Sequence, residues 1–320
     1  MRRALIVITL LANLAAGAAA ALETPARAAI VLDVTSGTTL MEKNADAPLP
    51  PASMSKLMTL TMVFEALRDG RLGMEDRLPV SETAWRKGGS KMFVEVGDRI
   101  RVADLLRGVT VQSGNDACIV LAEALGGTEA AFAEMMNDRA EELGLTNSHF
   151  ENATGWPGER HYMSVRDLSR LASHIITEFP EYMHLFSIDA FTWEDITQYN
   201  RNPLLGLGIG ANGMKTGHTQ EAGYGLVASV EREGRKVVTV VAGLETARQR
   251  AVEAEKLVNW AYREFRTGTL FAADQAVAEA EVWIGEQERV GLAPREDVVV
   301  TVPFSAADQV RARLHYDGPV

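Results

Sequence analysis

Apolar positions recur at helical spacing along most of the first 180 residues. An apolar run from Leu57 to Leu67 ends at Asp69-Gly70, a pair that is typical of a helix end. A Ser-Val-Arg-Asp sequence at Ser164 resembles a capping box and opens another helix. The remaining predicted helices are a short one that begins at Ser81, followed by 102–109, 116–125 and 128–143, with the Ser164 helix continuing to residue 176.

Alternating patterns predict strands at two separated places. Ala28–Asp33 and a second run at 38–42 flank Thr35-Ser36-Gly37, which is a hairpin signal. After Gly213 the period changes again, and residues 214–219, 225–231 and 236–244 are predicted to be strands. An amphipathic helix over 247–265 follows. The chain is therefore expected to have a mixed α/β (α+β) fold.

The pattern of apolar and polar residues changes once more beyond Gly268. Short alternating segments at 276–284, 297–304 and 310–316 predict a second, all-β domain. The sequence ends in Asp-Gly-Pro-Val, which is turn chemistry, so we expect this domain to be incomplete. The predicted organisation is a catalytic domain over 25–267 and a C-terminal β-domain over 268–320.

The first residues are typical of a secretory signal peptide. Arg2-Arg3 precede an almost wholly apolar stretch at 4–14, and small residues follow at 15–21. The stretch is shorter than the roughly 20 residues that a spanning helix needs. We expect residues 1–21 to be removed and the protein to be exported, to the periplasm or to the outer face of the cytoplasmic membrane. Cys118 is the only cysteine, so no intrachain disulfide can form, and its apolar helical context favours packing over thiol chemistry.

Charge and composition exclude some partners and leave others open. The formal net charge is -11, which argues against nucleic acid because phosphate binding needs a basic face. The six histidines show no metal-ligand spacing, so neither a metal nor another cofactor is expected.

Ser53 and Lys56 begin the first predicted helix. Positions i and i+3 share one face of a helix, and a helix N-terminus favours developing negative charge. The pair therefore suits a serine nucleophile with a lysine base. The alternative is a capping serine beside a solvated lysine, and the short motif does not by itself separate the two interpretations.

Two further motifs follow in order along the chain. Ser113-Gly114-Asn115 lies on a loop before a helix, about 60 residues after Ser53, where a cap is the alternative interpretation. Lys215-Thr216-Gly217-His218 lies on a predicted strand about 100 residues further on, where an edge-strand lysine is the alternative. Gly217 lets another backbone or a ligand approach closely. The three motifs together match the set used by penicillin-binding proteins and class A β-lactamases.

On these motifs the sequence resembles the low-molecular-mass penicillin-binding proteins, which are serine-type D-alanyl-D-alanine carboxypeptidases. The resemblance extends from about residue 28 to the end and includes the segments at 47–54, 111–117, 152–155, 200–202 and 215–218. It implies removal of the terminal D-Ala from peptidoglycan stem pentapeptides, and covalent inhibition by β-lactam antibiotics. It also implies a D,D-peptidase/β-lactamase-like fold with a five-stranded antiparallel sheet between helical layers. Family members often attach peripherally to the membrane through a C-terminal amphipathic helix, which we expect to be missing from this chain.

The resemblance also implies roles for the motif residues. Ser53 attacks the peptide carbonyl, neutral Lys56 accepts its proton, and Ser113 relays a proton to the leaving amine. Asn115 orients Lys56 or the substrate amide, and the backbone of Ser53 and His218 forms the oxyanion hole. The residues expected to hold the terminal carboxylate are Lys215, Thr216 and Arg250. For Arg250 a solvated helix charge is an equal alternative, and for His218 we prefer a positional role to general-base catalysis.

Small departures from the family pattern leave substrate preference open. Ser55 stands where the family usually has Thr, and the sequence of the loop at 155–161 differs from the usual family sequence. A class A β-lactamase is the nearest rival, but its Glu-x-x-Leu-Asn sequence is not found and Gly114 replaces the usual Asp. A non-catalytic, penicillin-sensing wall-binding module is the second rival, and it would need no intact nucleophile and base.

Overall fold

The structure is a computed structural model that describes residues 6–9 and 22–316. Of the predicted signal peptide, only Ile6–Thr9 belongs to the described part, as a strand paired antiparallel with Arg313–Tyr316, and the rest lies outside the described residues. The chain divides into two compact units. One comprises Thr24–Val34 and Thr39–Asn259, and the other contains Thr35–Thr38 and the residues from Trp260 onwards. The domain boundaries at 25–267 and 268–320 stay predictions.

A five-stranded antiparallel sheet organises the larger unit, as predicted. Its strands, numbered along the chain, lie in the order β3-β4-β5-β1-β2. Their bounds are β1 Ala28–Asp33, β2 Thr38–Lys43, β3 Ala211–Thr219, β4 Gly223–Arg232 and β5 Arg235–Leu244. The interior strand β4 is buried without interruption from Gly225 to Val230, so both faces of the sheet are covered there.

All the predicted helices are present, with ends shifted by one or two residues, except that the first begins three residues later than predicted, at Lys56, because Ser53 lies in a preceding 3-10 turn. Ser164 and Thr128 cap their helices, accepting hydrogen bonds from the N–H groups of Asp167 at 3.0 Å and Ala131 at 3.1 Å. The helices are α1 Lys56–Arg68, α2 Glu82–Arg86, α3 Val102–Thr110, α4 Asn115–Gly126, α5 Glu129–Glu142, α6 Val165–Glu178 and α7 Ala247–Glu264. None of these helices is both long and apolar enough to cross a membrane.

Several short elements of two to eight residues were not predicted, because segments of this length carry no recognisable period. They include the 3-10 helices Ala52–Ser55, Pro180–Ser187 and Phe304–Gln309. The paired short strands are Arg77–Pro79 with Arg99–Arg101, Ser148–His149 with Tyr162–Met163, and Ala190–Trp193 with Ile196–Tyr199.

The C-terminal region is built of strands, as predicted, but contains more of them. Phe265–Phe271 pairs with Val298–Pro303, and Ala278–Glu281 pairs with Arg289–Leu292. Two of these strands, Phe265–Phe271 and Arg289–Leu292, were not predicted. The first was hidden because it follows directly on the last residue of α7, so the helical pattern appeared to extend to Phe265.

Helix α1 is buried on nearly every side, since all its residues from Lys56 to Ala66 are inaccessible. Phe64 stacks on Tyr182 with ring centroids 4.6 Å apart and contacts Phe179 at 5.9 Å. This aromatic packing fixes the helix in the interior. Any polar group at the start of α1 must therefore find its partners within the protein.

Strand β3 is the sheet edge that approaches the start of α1. A Cβ atom on Gly217 would lie 2.8 Å from the carbonyl oxygen of Pro51 and 3.0 Å from Met54 Cγ. Glycine at this position lets the strand touch the turn at Ala52–Ser55. The close approach expected at Gly217 is thus made by another backbone, and it brings Lys215 towards Ser53.

Candidate active site

The predicted nucleophile lies in the 3-10 turn that precedes α1. Side chains at i and i+3 eclipse one another in a 3-10 helix, more closely than in an α-helix. Lys56 Nζ accordingly donates a hydrogen bond to Ser53 Oγ at 2.7 Å. The structure brings this predicted pair together.

Lys56 is completely buried and has two further acceptors. Its Nζ donates to Asn115 Oδ1 at 2.8 Å and to the Thr154 carbonyl oxygen at 2.5 Å. The orientation of the Asn115 amide is set by its other end, because Nδ2 donates to the carbonyl oxygen of Gly88 at 2.8 Å. Both acceptors can only accept, so they orient the amine towards Ser53.

The pKa of the Lys56 amine is lowered to about 8, first by burial and then by the positive charges of Arg201 and Lys87, while Cys118 and Asp116 act in the opposite direction. Burial and then Lys56 hold the pKa of Lys215 well below its usual value. The positive charge of Lys56 therefore disfavours that of Lys215.

Ser113 connects the second motif to the third. Lys215 Nζ donates to Ser113 Oγ at 2.9 Å, and both side chains are almost fully buried. Ser113 has a φ of 65°, a conformation that is uncommon for a residue other than glycine. The tight loop presents its hydroxyl towards the strand, where Lys215 can reach it.

Asp116 holds the loop opposite the nucleophile. Its buried carboxylate accepts hydrogen bonds from the N–H groups of Met92 and Phe93, each at 2.8 Å. A Cβ atom on Gly114 would lie 2.9 Å from Asp116 Oδ1 and 3.0 Å from the Met92 nitrogen. The glycine of the Ser-Gly-Asn motif is thus explained by this packing.

A cleft opens above the Ser53 hydroxyl. Its lining residues come from five segments, namely Ser53, Gly89, Ser90, Asn115, Thr154, Gly155, Trp156, Pro157, His218 and Thr219. His218 stacks on Tyr224 at 3.9 Å between ring centroids. Lys87 Nζ lies 5.6 Å from the ring centroid of Trp156. Ser53, Asn115 and His218 thus face the cleft, while Lys56, Ser113 and Lys215 lie buried beside it.

The other predicted residues lie at or near one edge of the cleft. Thr216 is buried on β3, opposite Leu226 of β4. Arg250 Nη2 donates to the Arg201 carbonyl oxygen at 3.4 Å, and its guanidinium lies 5.8 Å from the ring centroid of Tyr224. Arg250 therefore lies beside the tyrosine on which His218, a cleft residue, stacks.

Sequence reasoning missed the roles of Thr154 and Arg201, although both lie in segments that carry the resemblance. Thr154 acts through its carbonyl oxygen, which any residue type would supply. Arg201 Nη1 donates to Ser90 Oγ at 2.7 Å, across the cleft wall. The sequence does not indicate this contact, because the two residues are 111 positions apart.

Within residues 6–9 and 22–316, no three His, Cys, Asp or Glu side chains form a group suited to a metal ion. Cys118 is buried, and burial raises the pKa of its thiol to about 11, so the thiol stays protonated. This state agrees with packing rather than thiol chemistry.

The fold and the arrangement around Ser53 define a hydrolase of the active-site serine class. Residues 15–246 match the family described as D-alanyl-D-alanine carboxypeptidase, and residues 265–320 match the C-terminal domain of penicillin-binding protein 5. The chain belongs to the D-alanyl-D-alanine carboxypeptidase family.

Individual relatives agree with this assignment. The chain is 39% identical to D-alanyl-D-alanine carboxypeptidase DacC of Escherichia coli K12 over 294 residues, which is 90% of this chain and 74% of that protein. Penicillin-binding protein 5 of Haemophilus influenzae superposes with a TM-score of 0.87 at 37% identity, covering 91% of this chain and 86% of that one. Penicillin-binding protein D2 of Listeria monocytogenes, solved with bound ampicillin, has a TM-score of 0.68 at 33% identity, covering 74% and 97%.

These matches confirm the family, the fold class and the hydrolase activity that the sequence predicted. They do not favour a class A β-lactamase or a non-catalytic sensing module.

Proposed function

We propose that Ser53 is the nucleophile with which this carboxypeptidase releases the terminal D-Ala of peptidoglycan stem pentapeptides. The observation that carries the assignment is the 2.7 Å hydrogen bond between Ser53 Oγ and the fully buried amine of Lys56. A buried amine with a pKa of about 8 supplies a neutral fraction of roughly a tenth at pH 7. It can therefore act as a base near neutrality.

The acceptors around Lys56 direct its lone pair. A neutral amine has two N–H bonds, which the Thr154 carbonyl and Asn115 Oδ1 accept. The lone pair then faces Ser53, whose hydroxyl donates its proton as Oγ attacks the peptide carbonyl carbon. The new C–O bond gives a tetrahedral oxyanion. Backbone N–H groups of Ser53 and His218 stabilise the oxyanion, each contributing about 3 kcal/mol.

Ser113 completes the proton path to the leaving group. Its Oγ accepts a hydrogen bond from Lys215, so its own O–H can point into the site. The C–N bond breaks as the proton reaches the nitrogen of the departing D-Ala, and Lys56 returns its acquired proton through Ser113. Water then attacks the ester with Lys56 again as base, which releases the shortened peptide.

Three basic side chains near the cleft, those of Lys215, Arg201 and Arg250, favour a substrate with a free C-terminal carboxylate. Lys215, Thr216 and Arg250 are the proposed carboxylate ligands, and the guanidinium of Arg201 lies on the same side. Arg201 and Arg250 both lower the pKa of Lys215, which shows that the positive charges are close enough to act together. Their field attracts an anion although the whole chain is acidic.

The proposed setting is the cell wall. The apolar N-terminal stretch supports export, to the periplasm or to the outer face of the cytoplasmic membrane. Stem peptides of peptidoglycan are the substrate, and β-lactams are expected to acylate Ser53 because they mimic the D-Ala–D-Ala carbonyl. The ampicillin-bound Listeria relative supports this expectation. Membrane attachment through a C-terminal segment remains an expectation from the resemblance.

Labelling with a fluorescent penicillin tests the assignment. Ser53→Ala should form no covalent adduct and release no D-Ala from a pentapeptide. The matched control, Ser187→Ala, removes an exposed hydroxyl that donates only to the His184 carbonyl, and it should label normally. A labelled Ser53→Ala protein would refute the nucleophile, and fast turnover of the penicillin by the wild type would favour a β-lactamase.

A further inference from the structure

One buried imidazole beside the nucleophile turn has no part in the chemistry above. His161 is only 3% exposed. Its Nδ1 accepts the backbone N–H of Glu151 at 3.1 Å, so that nitrogen carries no proton. The neutral ring must then be protonated at Nε2, which donates to Ser55 Oγ at 3.1 Å. The contacts themselves determine the tautomer.

The Ser55 hydroxyl connects His161 to the nucleophile turn. Having accepted from His161, it donates to the carbonyl oxygen of Ala52 at 3.1 Å. Ala52 directly precedes Ser53 and has a φ of 47°, in the left-handed region. Such a conformation is sparsely populated and persists only where neighbouring groups hold it. The Ser55 hydroxyl is one group that does so.

The loop that carries His161 also supplies the partners of α1. The Thr154 carbonyl accepts from Lys56, and the Ala153 carbonyl accepts from Thr59 Oγ1 at 2.7 Å. The loop therefore contacts both members of the pair. His161 holds the backbone before Ser53 through the Ser55 hydroxyl, and the Thr154 carbonyl accepts from Lys56. Movement of the loop would disturb both ends of the Ser53–Lys56 hydrogen bond.

We propose that His161 is a positioning residue for acylation, which acts through the Ser55 hydroxyl to hold the turn at Ala52 and thereby the Ser53 hydroxyl against Lys56. The proposal rests on Ser53 being the nucleophile. It gives the Ser55 side chain a function, since a hydroxyl at that position is needed to accept from the ring and donate to the backbone.

The ring is neutral over the pH range in which Lys56 titrates. Burial lowers the pKa of His161 to about 4, and the positive charges of His149 and Lys56 act in the same direction. The carboxylate of Glu151, on the same loop, accepts from the Arg160 backbone N–H at 3.2 Å. The donor at Nε2 and the acceptor at Nδ1 are therefore both kept at neutral pH.

Two isosteric substitutions test the two nitrogens of the His161 imidazole separately. In His161→Asn the amide oxygen takes the place of Nδ1, which keeps the bond from Glu151 and removes the donor to Ser55. In His161→Gln the amide nitrogen takes the place of Nε2 and keeps that donor. We expect His161→Asn to slow acylation by a β-lactam about tenfold, the effect of one lost hydrogen bond, and His161→Gln to slow it much less.

The kinetic pattern distinguishes positioning from general damage. The limiting acylation rate should fall while the dissociation constant of the preceding non-covalent complex is unchanged, and the adduct should still form on Ser53. Ser55→Ala should reproduce the loss, Ser55→Thr should restore the rate, and the double variant His161→Asn/Ser55→Ala should be no slower than either single one. His149→Asn is the control, because that ring bonds only Arg160.

Three outcomes would overturn the proposal: wild-type acylation by a folded His161→Asn protein, additive losses in the double variant, or equal rates for Ser55→Ala and Ser55→Thr. The Ser55 pair decides the matter even if His161→Asn fails to fold. Labelling at a residue other than Ser53 in the wild type would instead refute the proposed nucleophile.

Discussion

A methyl group on Gly155 would lie 2.0 Å from the carbonyl oxygen of Ala52. The loop and the nucleophile turn thus meet backbone to backbone, with no room for a side chain. Gly155 also has a φ of 78°, which glycine adopts without strain. The contact leaves the Thr154 carbonyl, one residue earlier, facing Lys56.

Gly155→Ala should therefore displace either the loop or the turn. Gly144→Ala is a matched control, because Gly144 has a φ of 68° but no atom within 4 Å of a built Cβ. Both variants share the left-handed strain of about 1–2 kcal/mol, and only Gly155→Ala adds the collision. We expect acylation by penicillin to fall at least tenfold more in Gly155→Ala, as measured in stopped flow. Equal rates in the two variants would show that the contact does not position the site.

The pH dependence of acylation should follow the Lys56 amine. Its pKa of about 8 means that the neutral, active form increases as the pH rises through 8. The limiting acylation rate should rise across this range and then level off. Lys56→Arg keeps the charge but cannot serve as base. Its limiting acylation rate should therefore be at least about a hundredfold lower, the usual scale of general-base catalysis. A rate that is flat from pH 6 to 10 would contradict the assignment.

The same shift affects stability with a definite sign. Between pH 8 and the ordinary lysine value of 10.5, the unfolded chain binds more protons at Lys56 than the folded protein. The contribution of this group to the free energy of unfolding therefore increases with pH across that window.

Asn115→Asp should move the pH profile upwards. The carboxylate would sit 2.8 Å from Lys56 Nζ and favour its charged form, which raises the pKa of the amine. Asn137→Asp is the control, since Asn137 likewise donates to a backbone carbonyl, that of Phe150 at 2.9 Å, but does not contact Lys56. We expect the midpoint of the acylation profile to rise by at least about one unit in Asn115→Asp only. An unchanged midpoint would show that Asn115 does not set the protonation of Lys56.

The sequence predicted what is local and periodic. Ser53 and Lys56 could be paired because three positions separate them, and the main strands could be predicted because they are runs of six to ten residues bounded by turn residues. The five-stranded sheet that they form was implied by the family resemblance. His161 looked like any lone core or surface histidine, because its partner Ser55 is 106 positions away. The role of the Thr154 carbonyl could not be predicted at all, since every residue type supplies a backbone oxygen.

Trp156 should influence substrate preference. It lies in the cleft and is 45% exposed, in the loop that departs from the usual family text. An aromatic contact of this kind is worth about 0.5–1.5 kcal/mol, so Trp156→Ala should raise KM up to about tenfold with little change in kcat. The increase should be larger for a pentapeptide than for a short acylated D-Ala-D-Ala. Trp85→Ala, which alters a tryptophan outside the cleft lining, should leave both values unchanged. If the two substrates respond equally, Trp156 does not contact the acyl part.

Substitution of Arg250 tests whether this side chain binds the substrate carboxylate or is an ordinary helix charge. Its Nε is buried and finds no hydrogen-bond partner among the described residues, and the guanidinium lies beside the tyrosine on which His218 stacks. A substrate carboxylate would satisfy that donor. Arg250→Gln should raise KM for a peptide ending in D-Ala-D-Ala about tenfold or more, the cost of a lost charged hydrogen bond. It should leave the C-terminal amide analogue, which carries no carboxylate, unaffected. Arg248→Gln changes an exposed charge two residues earlier and should affect neither substrate. Equal losses for the acid and the amide would make Arg250 a structural residue, and no loss for either would make it a solvated charge.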